Sequence, residues 1–570
     1  MFIQGAGRAE HTYDAIVVGS GISGGWAAKE LTEKGLRTLV LERGRDVKHP
    51  DYPTATKESW EFAGRNRPSA ADIAKQAKQN RTGYTTHPAS AHWFVNDVEN
   101  PYSEVKRFDW MRGYHVGGRS LLWGRQSYRF SELDWEANAR DGVAVDWPIR
   151  SADMSPWYDY AERFAGISGT RDGLPQLPDG QFLPPMEMNC LEKQVQGRIA
   201  KAFDGRPMLI GRVANLTQPH NGRGGCQYRN RCIRGCPYGA YFSSNASTLP
   251  AAYATGRLTL RPFSIVTELI YDRDTNKATG VRIVDAETNQ TTEYFARVIF
   301  LCASTVASTF ILLNSVSDRF PNGFGNDSGE LGHNLMDHHF KVGAGGLSED
   351  FGDRFYKGQR PNGIYIPRFR NLDAKSRQKD YIRGFGYQGS ASRDNWARGI
   401  KELSHFGADL KADLIAPGPW RFGIGSWGEC LPYHDNRLYL NKALRDKWGL
   451  PTVTFDAGWK TNELNMRKDM MSSAAEMLEA AGLKSVTPFD DVTESAPGNC
   501  IHEMGTARMG RDPKTSVLNG WNQVHTTPNV FVTDGSCMAS ASCVNPSLTY
   551  MALTARACDH AVGEINKGNL

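Results

Sequence analysis

A glycine-rich turn near the N-terminus constrains the fold of this chain more than any other feature of its sequence. The turn Gly19–Gly24 directly follows Asp14–Val18, a short apolar and β-branched segment that predicts a buried strand. Helix formers then fill Ile22–Lys34, and a second apolar strand, Arg37–Leu41, ends at Glu42. This succession of strand, glycine turn, helix, strand and acid is typical of dinucleotide-binding α/β folds.

Each residue type in this pattern has a physical reason. Gly19 permits the tight turn, Gly21 lets a pyrophosphate approach the backbone, and Gly24 lets the helix pack closely on the strand. The helix N-terminus offers free N–H groups to phosphate oxygens. Glu42 is suited to accept hydrogen bonds from a ribose, which disfavours a 2′-phosphate. A purely structural glycine turn is the alternative, and the glycines alone do not distinguish FAD from NAD.

Composition excludes several classes of protein. The 570 residues are 40% hydrophobic and 23% charged, which are globular values. The net charge is +5 and no block of five like charges occurs, so a nucleic-acid surface is not supported. No apolar run approaches the ~18 residues of a membrane helix. Residues 1–13 lack the apolar core of an export signal, so we expect export only together with a partner that carries one.

The middle of the chain predicts two further regions. Gly113–Gly124 is a second glycine-rich stretch, in which Gly117, Gly118 and Ser120 would allow a flat ring system to approach; an ordinary surface loop is the alternative. Residues 346–490 lack a glycine fingerprint and predict a substrate lobe, with sheet around Asn362–Phe369 and Arg383–Gln388 and a helix at Asn462–Ala481.

The C-terminal region carries the most chemical information. His502 lies in the polar segment Asn499–Gly510, and a histidine with a pKa near ~6.5 can accept a proton at working pH. The predicted strand Val530–Thr533 ends at Asp534 and Gly535. Pro546 suits a first helical turn, with Asn545 as its cap and Ser547 following. A packed histidine and a simple helix cap are the alternatives for His502 and Asn545.

The glycine turn, the Gly117-Gly118 segment, His502 and the Asp534-Gly535…Asn545-Pro546 pair occur together and in this order. The chain thereby resembles the glucose–methanol–choline (GMC) flavoprotein oxidoreductases. Within that family it is closer to the sugar-oxidising branch, which includes pyranose oxidases, gluconate dehydrogenase large subunits and glucoside 3-dehydrogenase catalytic subunits. The resemblance covers nearly the whole chain, and the lobe at 345–490 matches only loosely.

The resemblance implies an α/β fold with a Rossmann-type FAD-binding domain and a sheet-based substrate domain. The FAD domain would occupy mainly residues 1–345, with a cysteine loop at 214–245, the substrate domain 346–490, and residues 491–570 would return to the FAD domain. His502 would be the general base and Asn545 its partner on the same hydroxyl, while hydride passes to flavin N5. The implied cofactor-binding residues are Gly19, Gly21, Gly24, Glu42, Arg43, Gly117, Gly118, Ser120, Val266, Asp534, Gly535, Asn545, Pro546 and Ser547.

The attachment of FAD is predicted to be non-covalent. Some pyranose oxidases bind FAD covalently through a histidine just before a tryptophan of the second glycine-rich segment. Here Leu122 precedes Trp123, and His115 lies seven residues before Leu122. The sequence therefore has leucine at the position where these relatives have the histidine that links FAD.

Three closely spaced cysteines form a second distinctive feature. Cys226, Cys232 and Cys236 have the spacing Cys-x5-Cys-x3-Cys-Pro, and three nearby thiolates can hold a soft metal centre. A [3Fe–4S] cluster, which some dehydrogenases of the family carry on such a segment, is the favoured hypothesis. Zinc would require a fourth ligand. Plain thiols or one disulfide in a structural loop remain the third alternative.

Together these features predict an FAD-dependent dehydrogenase that oxidises a secondary ring hydroxyl of a glucoside or pyranose, with C3 favoured by the resemblance. Electrons would leave through the cluster to a cytochrome c or a quinone, with a small accessory subunit as partner. Co-export to the periplasm is favoured, and the cytoplasm is the alternative. The competing hypotheses are an oxidase that makes hydrogen peroxide, a gluconate or glucose dehydrogenase large subunit, a non-catalytic sugar- or flavin-binding protein, and an NAD-linked dehydrogenase.

Overall fold

The computed structural model describes residues 10–355, 360–393 and 405–570. Its strands are, in chain order, β1 (Thr12–Val18), β2 (Thr38–Leu41), β3 (Ser103–Glu104), β4 (Leu209–Ile210), β5 (Leu258–Arg261), β6 (Ser264–Asp272), β7 (Lys277–Asp285), β8 (Thr291–Leu301), β9 (Val342–Ser348), β10 (Ile364–Ile366), β11 (Phe385–Arg393), β12 (Trp420–Gly428), β13 (Arg437–Arg445), β14 (Pro451–Asp456), β15 (Lys484–Asp490), β16 (Gln523–Val524) and β17 (Thr527–Val532). Its α-helices are α1 (Ile22–Glu33), α2 (Ala70–Lys75), α3 (Ala77–Asn80), α4 (Glu132–Trp135), α5 (Ala137–Asp141), α6 (Ser151–Ala165), α7 (Cys190–Ala202), α8 (Thr248–Ala254), α9 (Thr305–Asn314), α10 (Gly407–Ile415), α11 (Thr461–Ala480) and α12 (Ser547–Asn566).

A parallel sheet carries the first layer of the molecule. Its strands follow the order β17-β8-β1-β2-β5, all paired in parallel, and β16 extends it beside β17. The hairpin of β6 and β7 joins β8 in antiparallel pairing. The helices α1 and α12 pack on one another and on this sheet. Because β1, β2, β8 and β17 run parallel, their carboxyl ends lie at one edge, where α/β folds bind ligands.

The turn after β1 depends on two glycines. Gly19 has φ +93°, and a Cβ there would lie 2.6 Å from the carbonyl oxygen of Cys302. A Cβ on Gly24 would lie 1.9 Å from the carbonyl oxygen of Gly19. The first turn of α1 therefore rests directly on the strand end, as the fingerprint predicts.

A second, antiparallel sheet forms the other layer. Its order is β15-β9-β12-β11-β10-β4, and β4 reaches it from far upstream in the chain. One face packs against α11 and α7, burying Phe385, Tyr387, Phe422 and Ile424 with the methionines of α11. A third, small sheet joins β13, β14 and β3.

The structure confirms the strand and helix predictions around the glycine turn, at α11, at β17 and at the start of α12, to within a few residues. The second sheet is more extensive than the sequence pattern indicated, because β9, β12 and β15 gave no clear strand signal. The domain boundaries at 345 and 490 stay predictions; the second sheet begins at Val342 and its last strand ends at Asp490. Within the described ranges, no helix is long and apolar enough to cross a bilayer.

The glycine packing gives a matched pair of substitutions. Gly24→Ala should lower the free energy of unfolding by about 1–3 kcal/mol or more, because its methyl group meets rigid backbone. Gly21→Ala should leave the stability of the apoprotein nearly unchanged, since nothing lies within 4 Å of its Cβ, but should weaken dinucleotide binding. Urea unfolding of apoprotein and the cofactor content of purified protein measure the two effects. Equal destabilisation by both changes would contradict the packing interpretation.

Candidate active site

A cavity of about 450 Å³ opens at the carboxyl edge of the parallel sheet. That volume is within the range of small-molecule sites. Thirteen of the predicted site residues line it: Gly19, Gly21, Glu42, Arg43, Gly118, Ser120, Val266, His502, Asp534, Gly535, Asn545, Pro546 and Ser547. Residues more than 500 positions apart in the sequence, such as Gly19 and Ser547, thus line the same cavity.

Gly24 and Gly117 stand behind this wall instead of lining it. Gly24 serves the packing of α1, as described above. A Cβ on Gly117 would overlap the Asn245 side chain, and the Gly117 N–H donates to Ser20 Oγ at 2.9 Å. The second glycine-rich stretch is therefore fastened to the first glycine turn. The ordinary-surface-loop interpretation is wrong for this stretch, since Ser120 is also buried and accepts from the N–H of Ser244 at 3.0 Å.

Glu42 is held by the protein before any ligand arrives. Its Oε2 accepts from Ser20 N–H at 3.1 Å and Ser20 Oγ at 2.5 Å, and its Oε1 accepts from Gly44 N–H at 2.9 Å. Burial raises its pKa, and the hydrogen bonds from Ser20 and Gly44 oppose that rise. A carboxylate has about four lone-pair sites, so one remains for a ribose hydroxyl.

Arg43 is fixed at the same end of the cavity. Its guanidinium lies over the rings of Tyr114 and Trp448, at 4.5 Å and 5.0 Å from their centroids, and pairs with Asp446 at 3.3 Å. The hairpin of β13 and β14 supplies Trp448 and Asp446. Two of the three residues that hold Arg43 in place therefore come from a separate sheet.

Asp534 and Gly535 form a tight corner after β17. Asp534 Oδ1 accepts from the N–H of Ser536 at 3.0 Å, and its Oδ2 accepts from Ser308 Oγ at 2.5 Å. A Cβ on Gly535 would lie 2.4 Å from the carbonyl oxygen of Glu503. Because Glu503 follows His502, this contact ties the corner to the predicted base.

Asp337 positions the loop that carries His502. Its carboxyl group accepts backbone N–H bonds from Gly498 at 2.8 Å, Cys500 at 3.1 Å and His502 at 3.0 Å. Burial raises the pKa of Asp337 to about 7, with the nearby Glu503 adding to the rise and the three N–H donors opposing it. The backbone of the loop is thereby fixed at three points by one buried side chain.

The tautomer of His502 follows from its neighbours. The Nε2 of His338 lies 2.7 Å from the carbonyl oxygen of Ser542, which can only accept, so this Nε2–H donates. His338 is buried, and burial lowers its pKa to about 4, so the ring is neutral and its Nδ1 is an acceptor. The Nδ1 of His502 lies 2.8 Å away and must donate to it. His502 then keeps the lone pair of a base on Nε2.

The electrostatic environment keeps this base unprotonated. Burial lowers the pKa of His502 well below 6.5, and neighbouring His338 and Arg119 lower it further. Arg119 is in turn paired with Glu503 at 2.9 Å. A protonated His502 would be inactive as a base, so its function should be retained throughout the neutral range and lost only in acid.

The side chain of Asn545 has a different partner from the one that the sequence suggested. Helix α12 begins at Ser547 with Pro546 in the cap position and no side-chain cap hydrogen bond, so the predicted capping role of Asn545 is wrong. Its Oδ1 instead accepts from Gln388 Nε2 at 2.7 Å. Gln388 belongs to β11 of the second sheet, and nothing in the sequence around it marked a functional residue.

Two family models match this chain, both described as GMC oxidoreductase, one over residues 13–340 and the other over residues 432–554. The first alone spans more than half of the chain. The chain belongs to the GMC oxidoreductase family. The prediction of family and the prediction of an oxidoreductase acting on alcohol groups are both confirmed.

Characterised relatives match over nearly their full lengths. A 2-methyl-1,2-propanediol dehydrogenase of Mycolicibacterium austroafricanum is 28% identical, with 96% of this chain and 94% of the relative covered. The fructose dehydrogenase large subunit of Gluconobacter japonicus is 26% identical, with 97% and 98% covered. Paromamine 6′-oxidase of Streptomyces fradiae is 25% identical, with 98% and 92% covered. Pyridoxine 4-oxidase, a solved structure, is 16% identical with a TM-score of 0.61 over 96% of this chain and 98% of that one, which confirms the predicted α/β fold.

GMC oxidoreductases bind FAD, and the cavity of this family member fits a dinucleotide. Gly21 and Gly118 face each other, and a Cβ on Gly118 would lie 3.3 Å from the Cα of Gly21. Side chains at either position would fill the cradle. The N-terminus of α12, which begins at Ser547, adds uncapped N–H groups to the wall.

The three cysteines of this GMC oxidoreductase lie together outside the main cavity. Cys226, Cys232 and Cys236 are free, half-buried thiols around a second cavity of about 30 Å³. Their sulfur atoms do not all lie within 4.8 Å of one another. One tetrahedral zinc ion would require separations of about 3.8 Å, given Zn–S bonds of ~2.3 Å. The arrangement is therefore too open for a single ion.

The histidine pair gives a prediction about His338. His338→Leu should slow bleaching of the flavin by substrate at least about 10-fold, a part of the ~10²–10⁴-fold that general base catalysis contributes, because His502 loses the acceptor that sets its tautomer. His338→Gln should retain more of the rate, since its amide can donate to Ser542 and accept from His502. Stopped-flow absorbance under anaerobic conditions measures both.

His502→Ala is the reference for this series and should lose about 10²-fold or more. All three variants should retain FAD, which absorbance of the purified protein checks. If His338→Leu reacts as fast as the unaltered protein, the tautomer assignment is wrong.

Proposed function

We propose that this protein is an FAD-dependent dehydrogenase that oxidises a secondary ring hydroxyl of a sugar or glycoside to a ketone, with C3 the favoured carbon. The observation that carries the proposal is a face of the second sheet that is lined by glycines and lies beside His502 and Asn545, the predicted catalytic pair. Fructose dehydrogenase and paromamine 6′-oxidase support a sugar-like alcohol as the substrate, and the choice of a secondary ring hydroxyl rests on the resemblance. The preference for C3 rests on the resemblance alone.

The residues of this chain account for the proton in such a reaction. His502 Nε2 carries the lone pair and takes the hydroxyl proton, while Asn545 holds the same oxygen. When bound, FAD supplies the acceptor for the hydride from the adjacent C–H bond. Loss of one proton and one hydride leaves the C=O double bond of the product, so atoms and electrons balance. The electrons are passed on to an external acceptor.

The glycine face is the side of the second sheet that turns toward the catalytic pair. It consists of Gln388 on β11, Gly423, Gly425 and Trp427 on β12, and Gly345 on β9, which register places on one face. Gln388 donates to Asn545, and the indole of Trp427 lies beside the thiol of Cys500, which in turn contacts His502. The face is thus anchored to the active site at two points.

The three glycines leave this face without side chains. A Cβ on Gly345, Gly423 or Gly425 would meet nothing closer than 3.7 Å, so packing does not require glycine there. The opposite face of the same strands is filled with large apolar side chains. A flat, open surface beside a tryptophan suits the body of a pyranose ring better than it suits a small diol.

An electron exit through the cysteine loop is part of the proposal. Cys226, Cys232 and Cys236 would hold a [3Fe–4S] cluster, which supplies one-electron transfer when bound. Supporting this, the hydroxyl of Tyr241 donates to the carbonyl oxygens of Leu121 at 2.6 Å and Cys232 at 3.2 Å. Leu122 and Trp123 line the main cavity, so one buried side chain separates the loop from the cavity wall.

The partners and the compartment belong to the same proposal. A small accessory subunit would carry the export signal, and a cytochrome c or a quinone would take the electrons outside the cytoplasm. The relative from Gluconobacter japonicus is a large subunit by name, which supports a multi-subunit assembly. FAD is proposed to be bound non-covalently, because Leu122 occupies the position of the linking histidine.

The glycine face yields a test of substrate class. With the unaltered protein, a methyl glucoside or fructose should bleach the flavin under anaerobic conditions, and NMR of the product should show a ring ketone. Gly425→Val should raise the concentration of sugar for half-maximal rate by about 10-fold, equivalent to ~1.4 kcal/mol, because its side chain occupies the space of the ring. Half-saturation by 2-methyl-1,2-propanediol should change much less.

Gly197→Ala is the control: a Cβ there meets nothing within 4 Å, and one on Gly425 meets only the ring of Trp427 at 3.7 Å, but Gly197 lies on α7, far from the glycine face in the chain. Equal loss of affinity for sugar and diol in Gly425→Val would contradict the role of the glycine face. Absence of any sugar reaction with the unaltered protein would remove the proposed substrate class.

Iron and acid-labile sulfide analysis tests the electron exit. We expect about three irons per chain, as a [3Fe–4S] cluster requires, and loss of iron in Cys232→Ser with FAD retained. That variant should be bleached by sugar normally and should pass electrons to an external acceptor more slowly. Protein without iron that consumes oxygen and forms hydrogen peroxide would favour the oxidase alternative.

A further inference from the structure

We propose that Gln388 is a positioning residue that makes Asn545 a hydrogen-bond donor toward the substrate. The inference deepens the proposed function and rests on it, because it concerns how the predicted pair recognises an alcohol. Nothing in the sequence around Gln388 pointed to such a role, and it acts from a different sheet. Its evidence is that Gln388 donates a hydrogen bond to the amide oxygen of Asn545, and that this oxygen does not cap α12.

The first step concerns the amide oxygen of Asn545. Oδ1 accepts from Gln388 Nε2 at 2.7 Å, and Asn545 is 8% exposed. The same oxygen is not used to cap α12, which has no side-chain cap hydrogen bond. Because Oδ1 is turned toward Gln388, the group of Asn545 directed away from Gln388 is the Nδ2 amide, which carries only donors.

The second step concerns the partner across the cavity. His502 presents the lone pair of Nε2, because His338 and the carbonyl oxygen of Ser542 fix its tautomer. One member of the pair therefore accepts and the other donates. An alcohol fits this pair in one way only, with its O–H directed to His502 and its oxygen lone pair directed to Asn545.

The third step concerns charge. As the proton moves to His502, negative charge develops on the substrate oxygen, and a donor aimed at that oxygen stabilises it. An Asn545 with the opposite orientation would place its own oxygen there and oppose the charge. Gln388 thus acts on the reaction through Asn545, and its fixed place on β11 couples the second sheet to the catalytic pair.

The position of Gln388 makes it suited to this task. It lies in the interior of β11, whose backbone pairs with β10 on one side and β12 on the other, Gln388 opposite Tyr365 and Gly425. Its neighbour Tyr387 is fully buried and bonded to the carbonyl oxygen of Met470 at 2.7 Å. A side chain on such a rigid strand holds its partner more precisely than one on a loop.

Gln388→Glu provides the decisive test, since it replaces the donor by a carboxyl group that donates a hydrogen bond only when it is protonated. The ionised carboxylate only accepts, so it would turn the Asn545 amide around and present Oδ1 to the substrate. We expect the limiting rate of flavin bleaching at pH 8 to fall about 10²-fold, the lower end for loss of one donor to a developing oxyanion. A protonated carboxyl donates again, so the rate should recover as the pH falls.

The recovery is observable because the base stays neutral in the same range. An unperturbed glutamic acid titrates near ~4.3, and burial raises that value. The pKa of His502 lies well below 6.5. Gln388→Leu, which offers no polar group, should show a smaller loss that does not depend on pH. Gln378→Glu makes the same chemical change on a loop of the second layer and should follow the unaltered protein.

The rate of Gln388→Glu relative to the unaltered protein at each pH is the quantity to report, together with FAD content and thermal unfolding. A ratio that rises toward acid supports the proposal. A ratio that is constant with pH, or a Gln388→Glu variant as fast as the unaltered protein, overturns it.

Each measurement is made with a sugar and with 2-methyl-1,2-propanediol. If only the diol bleaches the unaltered protein, the proposed substrate class fails while the polarity of Asn545 is still decided with the diol. If neither alcohol does so, although dithionite does, both proposals are overturned.

Discussion

The active site depends on one junction between two distant stretches of chain, residues 334–339 and 498–504. Asp337 accepts three backbone N–H bonds from the second stretch, and Met336 and Met504 exchange backbone hydrogen bonds of 2.9 Å in both directions. This junction brings His338 beside His502. Without it, the predicted base would have neither a fixed position nor a fixed tautomer.

The junction also explains why His502, the predicted base, stays neutral. Burial and the nearby Arg119 disfavour the charged ring, while His338 and the Ser542 carbonyl decide which nitrogen carries the proton. Burial would normally cost stability through unpaired polar atoms. Here the nitrogens of His338 and the Nδ1 of His502 have partners, and the Nε2 of His502 is left for a substrate in the cavity.

The sequence predicted the parts of this site that are local in the chain. The turn Gly19–Gly24, the corner at Asp534-Gly535 and the start of α12 each combine a secondary-structure change with residues that the change requires. The structure brings these together as expected, because the ends of parallel strands share one edge. Gln388 and the role of His338 were not predictable in this way. Their function depends on which atom faces them across the sheets, and that information lies in tertiary contacts.

Glycine has two opposite uses in this molecule. At Gly24 and Gly535 a Cβ would overlap backbone atoms, so the absence of a side chain is needed for the fold. At Gly345, Gly423 and Gly425 a Cβ would meet no close neighbour, so the fold does not explain the glycines. Since isolated glycine in a strand interior weakens the strand, three of them on one face are unfavourable for stability. A surface kept free for a substrate would explain these three glycines, because the contacts of Gln388 and Trp427 place that surface beside the predicted catalytic pair.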